Sequence, residues 1–272
     1  MINVYYTVAN NFELLYAESK EGGSMPSLHT HNHYEIYYLN EGKRSYIIDN
    51  KVYDMVKGSV ALIPPNIFHK TSGGSHTRTL VSFSSQYLNN CFKDNVTLDL
   101  LSCFSTPVIL LSEEEQKITE DILRRMSDNK DSCGYDTRPI LLAALLTLLN
   151  SHSANEKYMP RMTSDSLLSQ ILDYISKNYL EIKSLDEISQ KFFLTKFHLC
   201  RIFIENTGMS IFSYLNLLKL HASCELLLTT DNSITDISLE CGFNSHAYYC
   251  KTFNKQFGMS PMAYRKKHSS VK

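Results

Sequence analysis

The sequence contains seven cysteines but no Cys-x-x-Cys pair. Because the cysteines are scattered and odd in number, a disulfide framework and a zinc ribbon are both disfavoured. This usage is typical of a reducing compartment, so we expect a cytoplasmic protein. The N-terminus has no basic start followed by an apolar run, and no signal peptide is expected. The longest apolar-rich run, Ile140–Leu149, is too short to cross a bilayer, and we expect no membrane association.

Motifs of common enzyme classes are also missing. The chain has neither the G-x-x-x-x-G-K-[ST] pattern of a phosphate-binding loop nor a nucleophile elbow. The net charge of −1 hides an asymmetry, since residues 1–160 carry 14 Lys/Arg and 18 Asp/Glu whereas residues 161–272 carry 13 and 10. A mildly basic C-terminal part suits a polyanionic partner, although this excess alone is too small to indicate DNA.

The most informative stretch is Asp231–Arg265, which predicts a helix, a tight turn, a second helix and a short third helix. Ser233 and Ser245 are typical N-terminal caps, and Gly242 and Gly258 stand where the two helices should end. Two short helices joined by a glycine turn have the geometry that places a second helix in the DNA major groove.

The same pattern occurs once earlier, over Ser184–Tyr214. Residues before the turn match at a spacing of 49, and residues after it match at 50, including the identical triplets Gly208–Ser210 and Gly258–Ser260. The segment between the units, about 211–228, has a continuous helical pattern without Gly or Pro. A duplicated unit therefore predicts two helix-turn-helix motifs joined by one long helix.

These motifs resemble the DNA-binding domain of the AraC/XylS family of bacterial transcriptional regulators. The resemblance covers about residues 168–267, with Lys219 and Lys251 where the family usually has arginine. It rests on the Cys241-Gly242-Phe243 turn, the Tyr248-Tyr249-x-Lys-x-Phe253 helix, and Phe257-Gly258-Met259-Ser260-Pro261 followed by Tyr264-Arg265. It implies a regulator that binds promoter DNA as a homodimer and contacts RNA polymerase.

Helical spacing separates the core positions of each second helix from the outward positions near its start, where bases are reached. The DNA-binding candidates in the first unit are Lys196, Phe197, Cys200 and Arg201, and those in the second unit are Ser245, His246, Ala247, Tyr248 and Lys251. Arg201 is the best candidate for a base or phosphate contact. Cys250 occupies the position equivalent to Cys200, and this pair suggests van der Waals contact in place of bidentate recognition.

Residues 1–110 contain many short Tyr-, Val- and Ile-rich runs separated by turn residues, which predicts a barrel or sandwich. Residues 20–85 resemble the barrel of the cupin superfamily, through Gly23, His29, His31, Glu35 and Gly42 at the spacing of its first signature, with Gly58, Pro64 and His69 as a partial second signature. AraC-like regulators often use such a barrel to bind an effector. The effector-binding candidates are His29, His31, Glu35, Tyr37 and His69.

Three readings of this histidine-rich set stay open. The side chains could form the polar wall of a metal-free ligand pocket, hold a divalent transition metal, or hydrogen-bond only to backbone and solvent. The first is preferred, with no resident metal and no cofactor. His33 lies off the signature and is expected to be a solvated loop residue.

Residues 112–152 change to a helical period. Ser112 and Glu115 form a capping box before one helix, and Pro139 opens a second that is apolar on nearly every side. That second helix could pack on the barrel, supply a dimer interface, or do both. The polar segment 153–165 has no period and is predicted to be a linker.

The sequence thus predicts an α+β, two-domain chain. Residues 1–152 form a cupin-like effector-binding and dimerisation domain with two flanking helices, 153–165 form the linker, and 166–272 form an all-α domain with two helix-turn-helix units. The predicted function is sequence-specific transcriptional regulation in response to a small-molecule effector, for which a sugar is one candidate. Two alternatives stay open: a metal-dependent cupin enzyme or metal sensor fused to a DNA-binding module, and a ligand-independent regulator.

Overall fold

In the computed structural model the described residues are 2–8, 12–128, 136–152 and 166–269, with side chains described from residue 12 to residue 267 within these ranges. The chain divides into two compact units, residues 1–169 and 170–272. The predicted linker, 153–165, lies outside the described residues, so the domain boundaries stay predictions. Within the described part of the chain, no helix is long and apolar enough to cross a membrane.

The first unit is built on antiparallel strands, as predicted for residues 1–110. In chain order they are β1 (Ile2–Val8), β2 (Phe12–Ser19), β3 (Tyr34–Ile48), β4 (Lys51–Val56), β5 (Ser59–Ile63), β6 (His69–Ser72), β7 (His76–Phe83) and β8 (Val108–Leu110). The order β1-β2-β7-β3-β5-β8 forms the main path, and β4 and β6 pair with β3 off this path. The cupin-like barrel is therefore confirmed.

Strand β3 organises this barrel because its two halves have different neighbours. Residues 34–42 pair with β7 and β5, whereas residues 43–48 pair with β4 and β6. The register against β7 shifts between Leu39 and Glu41, which indicates a bulge at Asn40. Since strand side chains alternate between faces, one extra residue exchanges odd for even positions on the inward face. Glu35, Tyr37 and Leu39 face inward before the bulge, and even-numbered residues do so after it.

Two apolar cores lie on opposite faces of the strands. One fills the barrel interior and includes Tyr37, Leu39, Tyr46 and Ile48. The other joins the outer face of the sheet to α1 (Ser85–Asn89), α2 (Asp94–Leu101), a 3-10 helix (Ser102–Ser105), α3 (Glu113–Asp128) and α4 (Arg138–Asn150). The helices thus cover one face of the barrel, and the apolar core of its interior comes mainly from β3, β4, β5 and β7.

The predicted capping box at the start of α3 is confirmed. The Ser112 backbone N–H donates to Glu115 Oε2 at 2.8 Å, and the Glu115 N–H donates to Ser112 Oγ at 3.4 Å. Helix α4 buries Leu142, Leu145 and Leu149 in the outer core, while Ile140 is 65% exposed. The core-packing interpretation of α4 is therefore correct for one face, and an apolar residue on the other face is open.

The second unit is helical throughout its described residues. Its helices are α5 (Leu167–Asn178), α6 (Leu185–Lys191), α7 (Lys196–Thr207), α8 (Ile211–Thr229), α9 (Ile234–Glu240), α10 (His246–Phe257) and α11 (Pro261–Ser269). The predicted duplication is visible in the helix ends: Thr195 and Ser245 cap α7 and α10, and Gly208 and Gly258 end them in the left-handed conformation. Two helix-turn-helix units joined by the long helix α8 are thus confirmed.

The two turns differ at one position. In the second unit Gly242 has φ +75°, and in the first unit Phe193 takes the equivalent left-handed place with φ +54°. The hydrogen bonds around them match, since Leu194 N–H donates to Ser189 O at 2.8 Å and Phe243 N–H donates to Ser238 O at 2.9 Å. The extra residue of the second unit therefore lies after this turn, at Asn244, before the cap of α10.

Candidate functional site

The cupin-signature histidines come together at one end of the barrel interior. His29 and His69 form an isolated backbone bridge, and their ring centroids are 4.2 Å apart. The His31 ring lies 4.7 Å from that of His69, and His31 Nε2 lies 3.3 Å from Glu35 Oε2. Ligand atoms of His29, His31 and His69 all fall within 4.8 Å of one another. The structure therefore assembles four of the five predicted effector-site residues into one cluster.

Backbone carbonyls hold these rings in a common orientation. His69 Nδ1 lies 2.9 Å from Ile67 O, His31 Nδ1 lies 2.9 Å from His33 O, and His29 Nδ1 lies 3.4 Å from Ser27 O. A carbonyl can only accept, so each Nδ1 carries a proton, and Nε2 of a neutral ring at His29 or His69 keeps a lone pair. Carbonyl groups orient metal-binding histidines in the same way, by accepting from the ring nitrogen that does not bind the metal.

The pKa values of three histidines and of Glu35 in the cluster are lowered. Burial lowers the pKa of His69 to about 4, and burial also lowers the pKa of His29 and His33. Burial opposes ionisation of Glu35, but the hydrogen bond to His31 and the nearby His69 ring leave its pKa below the usual value. One carboxylate facing several imidazole lone pairs is a suitable donor set for a divalent transition metal.

His33 departs from its predicted place, and Tyr37 lies on the predicted inward face of β3. His33 was expected to be a solvated loop residue, but it is half-buried and its ring stacks on that of His31 at 3.7 Å with an interplanar angle of 7°. Tyr37, a predicted effector residue, lies deeper in the barrel and is fully buried against Tyr46, with ring centroids 5.2 Å apart. Because the Tyr46 hydroxyl donates to Glu35 Oε1 at 3.2 Å, the two tyrosines connect the cluster to the barrel core.

A cavity of about 610 Å³ lies elsewhere on the barrel, lined by the end of β2, residues 20–26 and the side chains of Arg44, His76 and Arg78. We call it the arginine cavity. None of the five predicted effector residues lines it. The sequence pattern missed Arg44 because the inward residues at the start of β3 are odd-numbered, and only the bulge at Asn40 turns even-numbered residues inward. The alternation of Arg44 with the apolar residues Tyr46 and Ile48 could have indicated that Arg44 shares their inward face.

In the first helix-turn-helix unit, α7 presents the predicted DNA-binding residues near its start. Lys196 and Arg201 are exposed, Phe197 is 77% exposed, and Cys200 is half-buried. Lys196 Nζ forms an ion pair with Asp186 of α6 at 2.7 Å, whereas Arg201 has only a 4.0 Å contact with Glu205 and a 3.4 Å contact with His198. Exposed pairs of this kind contribute little free energy and are readily exchanged for phosphate.

In the second unit, α10 presents Ser245, His246, Ala247, Tyr248 and Lys251 as exposed residues. Ser245 Oγ accepts from the Tyr248 N–H at 3.3 Å as the helix cap, and the Tyr248 hydroxyl accepts from Asn216 of α8 at 2.9 Å. His246 Nε2 lies 3.5 Å from Cys250 Sγ. Asn216 was not a predicted site residue, but it links the long helix to Tyr248, one of the DNA-binding candidates on α10.

Two residues of the AraC/XylS pattern have structural partners in this unit. Lys219 Nζ donates to the carbonyl of Gly242 at 3.0 Å and so holds the second turn against α8. Arg265 Nε and Nη2 donate to Leu227 O at 3.1 Å and Asn232 O at 2.8 Å, which ties α11 to the start of the second motif. These contacts within the chain give Lys219 and Arg265 a structural role that does not require DNA.

Comparisons with known proteins agree with this architecture. A helix-turn-helix domain family matches residues 188–267, and a cupin domain family matches residues 15–82. The uncharacterized HTH-type transcriptional regulator YfiF of Bacillus subtilis is 23% identical over 255 residues, which cover 90% of this chain and 80% of that protein. The melibiose operon regulatory protein of Escherichia coli K12 is 22% identical over 255 residues, covering 89% and 84%. The HTH-type transcriptional activator RhaS of Citrobacter koseri is 24% identical over 241 residues, covering 86% and 85%.

A cupin domain followed by two helix-turn-helix units, with full-length relatives that regulate transcription, defines a DNA-binding transcriptional regulator. The chain carries an AraC-type helix-turn-helix domain and a cupin domain, and its homologues over most of its length are AraC-family regulators.

Proposed function

We propose that this regulator binds a small organic effector inside its barrel and that binding changes its affinity for promoter DNA. The observation that carries the proposal is a cavity of about 610 Å³ in the barrel of a chain that also exposes two reading helices. This volume is in the range of sites that hold metabolite-sized ligands. An effector can act only through different affinities for two states of the protein, so coupling to DNA is the quantity to measure. A sugar is one candidate effector, because one relative is named for the melibiose operon.

The remaining partner assignments belong to the same proposal. Exposed Ile118 on α3 and Ile140 on α4 support a homodimer formed through these helices. Contact with RNA polymerase and a cytoplasmic location are expected of a one-component transcription activator. We propose no catalytic activity, since relatives over most of the chain are named as regulators.

The test is DNA binding by the full chain with and without ligand. Preferred DNA sites are first selected from a random pool, and affinity is then measured by fluorescence anisotropy while sugars and organic acids are added. We expect at least one compound to shift the midpoint for the selected site and to raise the melting temperature of the chain. Melting-temperature shifts without any change in DNA affinity, for every compound that binds, would contradict the regulatory coupling.

A second candidate function is a metal-responsive regulator or a metal-dependent cupin enzyme, and the histidine cluster favours it. Three imidazoles and one carboxylate meet in a partly buried space. Among the residues that the structure describes, His69 Nε2 is buried and has no hydrogen-bond partner. When bound there, a divalent transition metal would act as a Lewis acid or as a structural centre.

This candidate predicts that Ni²⁺ or Zn²⁺ raises the melting temperature of the full chain and that a chelator reverses the rise. The substitution His29→Gln should abolish the shift, because it removes one of three converging imidazoles. His246→Gln, at an exposed histidine of α10, is the control and should keep the shift. Equal responses of both variants would place the metal on the surface and count against the cluster.

A further inference from the structure

One wall of the arginine cavity carries the two positive charges of Arg44 and Arg78. Arg44 is 4% exposed, and its Nε donates to Thr71 Oγ1 at 3.0 Å while its Nη1 lies 3.4 Å from Gly74 O. The Arg78 guanidinium lies over the ring of Tyr37 at 5.6 Å, and its Nε is buried without a hydrogen-bond partner. In the described part of the chain, neither guanidinium forms an ion pair with a carboxylate. Two arginines therefore face one cavity with only neutral groups as partners.

Neighbouring groups confirm that the two charges are close to each other and to Tyr37. Burial raises the pKa of the Tyr37 hydroxyl, while the charges of Arg78 and Arg44 act in the opposite direction. Burial lowers the pKa of Arg44, and the like charge of Arg78 lowers it further. His76 Nδ1 lies 3.1 Å from Gly74 O and 3.4 Å from Arg44 Nη1, and burial followed by the Arg44 charge lowers its pKa. The wall thus keeps a neutral imidazole beside two cations.

Acidic residues of the lining do not neutralise this wall. Glu18 and Glu21 border the cavity, and both are exposed. In the register of β2 against β7, Ala17 pairs with Arg78 and Glu18 pairs with Thr77. Since successive side chains alternate, the Glu18 side chain leaves β2 on the face opposite to Arg78, and Glu18 borders the cavity only at its rim. Lys20, on the same border, adds a further positive charge.

The wall opposite the arginines is already in place. Residues 20–26 are hydrogen-bonded to β6 and to the turn that follows it, through Met25 N–H to Thr71 O at 3.0 Å and Gly23 N–H to Gly73 O at 3.1 Å. Gly22 has φ +75°, and a Cβ there would lie 2.8 Å from the Gly74 carbonyl carbon. A cavity whose walls are preformed loses little conformational entropy when a ligand enters.

We propose that the arginine cavity binds a small organic anion, whose carboxylate or phosphate group is held by Arg44 and Arg78. A buried charge without a counter-ion is costly, and an anionic ligand removes that cost while accepting charge-assisted hydrogen bonds. Planar guanidinium groups match carboxylate and phosphate oxygens in pairs. The proposal deepens and rests on the proposed function, because it assigns the chemical class of the effector and places it at the arginines, away from the histidine cluster.

The experiment compares ligands that differ only in charge. The full chain is titrated by calorimetry and by thermal shift with galactose, galacturonate, galactose 6-phosphate and inorganic phosphate, at low and high salt. Arg78→Met removes one charge and keeps an apolar stem of similar length. Arg125→Met removes the same charge from an exposed site on α3 and is the matched control. Arg44→Lys keeps the charge but loses the planar fork.

We expect galacturonate or galactose 6-phosphate to bind and galactose to bind far more weakly. Arg78→Met should weaken anion binding about 10- to 100-fold, the range expected for losing hydrogen bonds to a charged group, while Arg125→Met should not change it. Comparison of the affinities for galacturonate and galactose 6-phosphate shows whether the site prefers a carboxylate or a phosphate. Salt should weaken binding only modestly, because the arginines are largely buried.

Three results would overturn the proposal. Equal binding of galactose and galacturonate would show that charge is not recognised, and the effector-binding function would survive with a neutral ligand. Equal losses in Arg78→Met and Arg125→Met would show non-specific attraction. Absence of binding by all four compounds would remove the anion site, and the wider ligand screen on DNA affinity would then decide the proposed function separately.

Discussion

Phe193 and Gly242 occupy the same position in the two copies of the repeated motif. The backbone at this position is strained in the first copy and relaxed in the second. Both occupy the left-handed region in the turn between the two helices of their unit. Glycine adopts that region without steric cost, whereas a residue with a Cβ pays about 1–2 kcal/mol. Phe193 is 96% exposed, so no packing in this chain offsets the strain. An exposed aromatic ring beside the reading helix is consistent with a contact made only in a complex.

We therefore expect Phe193→Gly to stabilise the chain by about 0.5–1 kcal/mol, which is the relief of strain less the entropy cost of glycine. The reverse change, Gly242→Ala, should destabilise it, because a Cβ there also meets Lys219 Nζ at 3.3 Å. Urea unfolding of the full chain measures both. If Phe193→Gly were neutral or destabilising, the left-handed strain of this turn would be contradicted.

Arg201 of α7 and Lys251 of α10 occupy equivalent positions in the two helix-turn-helix units but have different chemistry. Arg201→Ala should weaken binding to a selected DNA site by about 1–3 kcal/mol and relax sequence preference, since a guanidinium can pair with two base acceptors. Lys251→Ala should weaken binding to selected and random DNA alike, because an ammonium acts on phosphates as a point charge. Anisotropy titrations on both DNAs, at two salt concentrations, separate the effects. Equal losses on both DNAs for Arg201→Ala would assign it a phosphate contact only.

At the scale of elements, α8 carries the second unit and contains a buried titratable group. His221 lies on this helix with its ring 5.7 Å from that of Phe257, and burial lowers its pKa to about 4. An unfolded histidine has a pKa of about 6.5, so the unfolded chain binds the proton more strongly between these values. Stability is therefore complete above pH 6.5 and decreases as the pH falls toward 4.

The contribution of His221 at pH 5 is up to about 2 kcal/mol lower than at neutral pH. His221→Leu should remove this part of the acid sensitivity, so the difference in unfolding free energy between variant and wild type should change between pH 7 and pH 5. His246→Leu is the control, since the exposed ring of α10 stays in water when the chain folds. The same pH slope in wild type and His221→Leu would contradict the burial argument.

Helix α4 and strand β3 show what periodicity can and cannot predict for an element. The sequence predicted the length and the apolar character of α4. It did not predict which face of the helix would be buried, because nearly every side is apolar. Packing against the barrel selected Leu142, Leu145 and Leu149 and left Ile140 open. In β3 the alternation of side chains predicted that Glu35 faces inward. The bulge at Asn40 exchanges the inward and outward positions that follow it, so the sequence did not predict that Arg44 also faces inward.

At the scale of the whole molecule, the open face of α4 bears on assembly. Ile140→Lys should shift the full chain from dimer toward monomer, because a charge replaces an apolar contact at the centre of the proposed interface. Leu98→Lys, at a 70% exposed position on α2, is the matched control and should leave the mass unchanged. Light scattering across a concentration series measures the mass. A dimer unaffected by Ile140→Lys would place the interface elsewhere.

The sequence by itself determined the class of this protein. Caps, glycines and the repeat at spacings of 49 and 50 are local signals, and they predicted both helix-turn-helix units because short helices depend on their end residues. The spacing of His29, His31 and Glu35 along one strand likewise predicted a shared face.

Only the tertiary structure decided which side chains meet across the barrel. Arg44 and Arg78 are 34 positions apart in the chain, and their common cavity depends on strand pairing, on a bulge and on a loop closed by Gly22. The hydrogen bond from Lys219 to the Gly242 carbonyl depends on packing in the same way. Such contacts join elements that are distant in sequence, and register and burial set them, neither of which local pattern encodes.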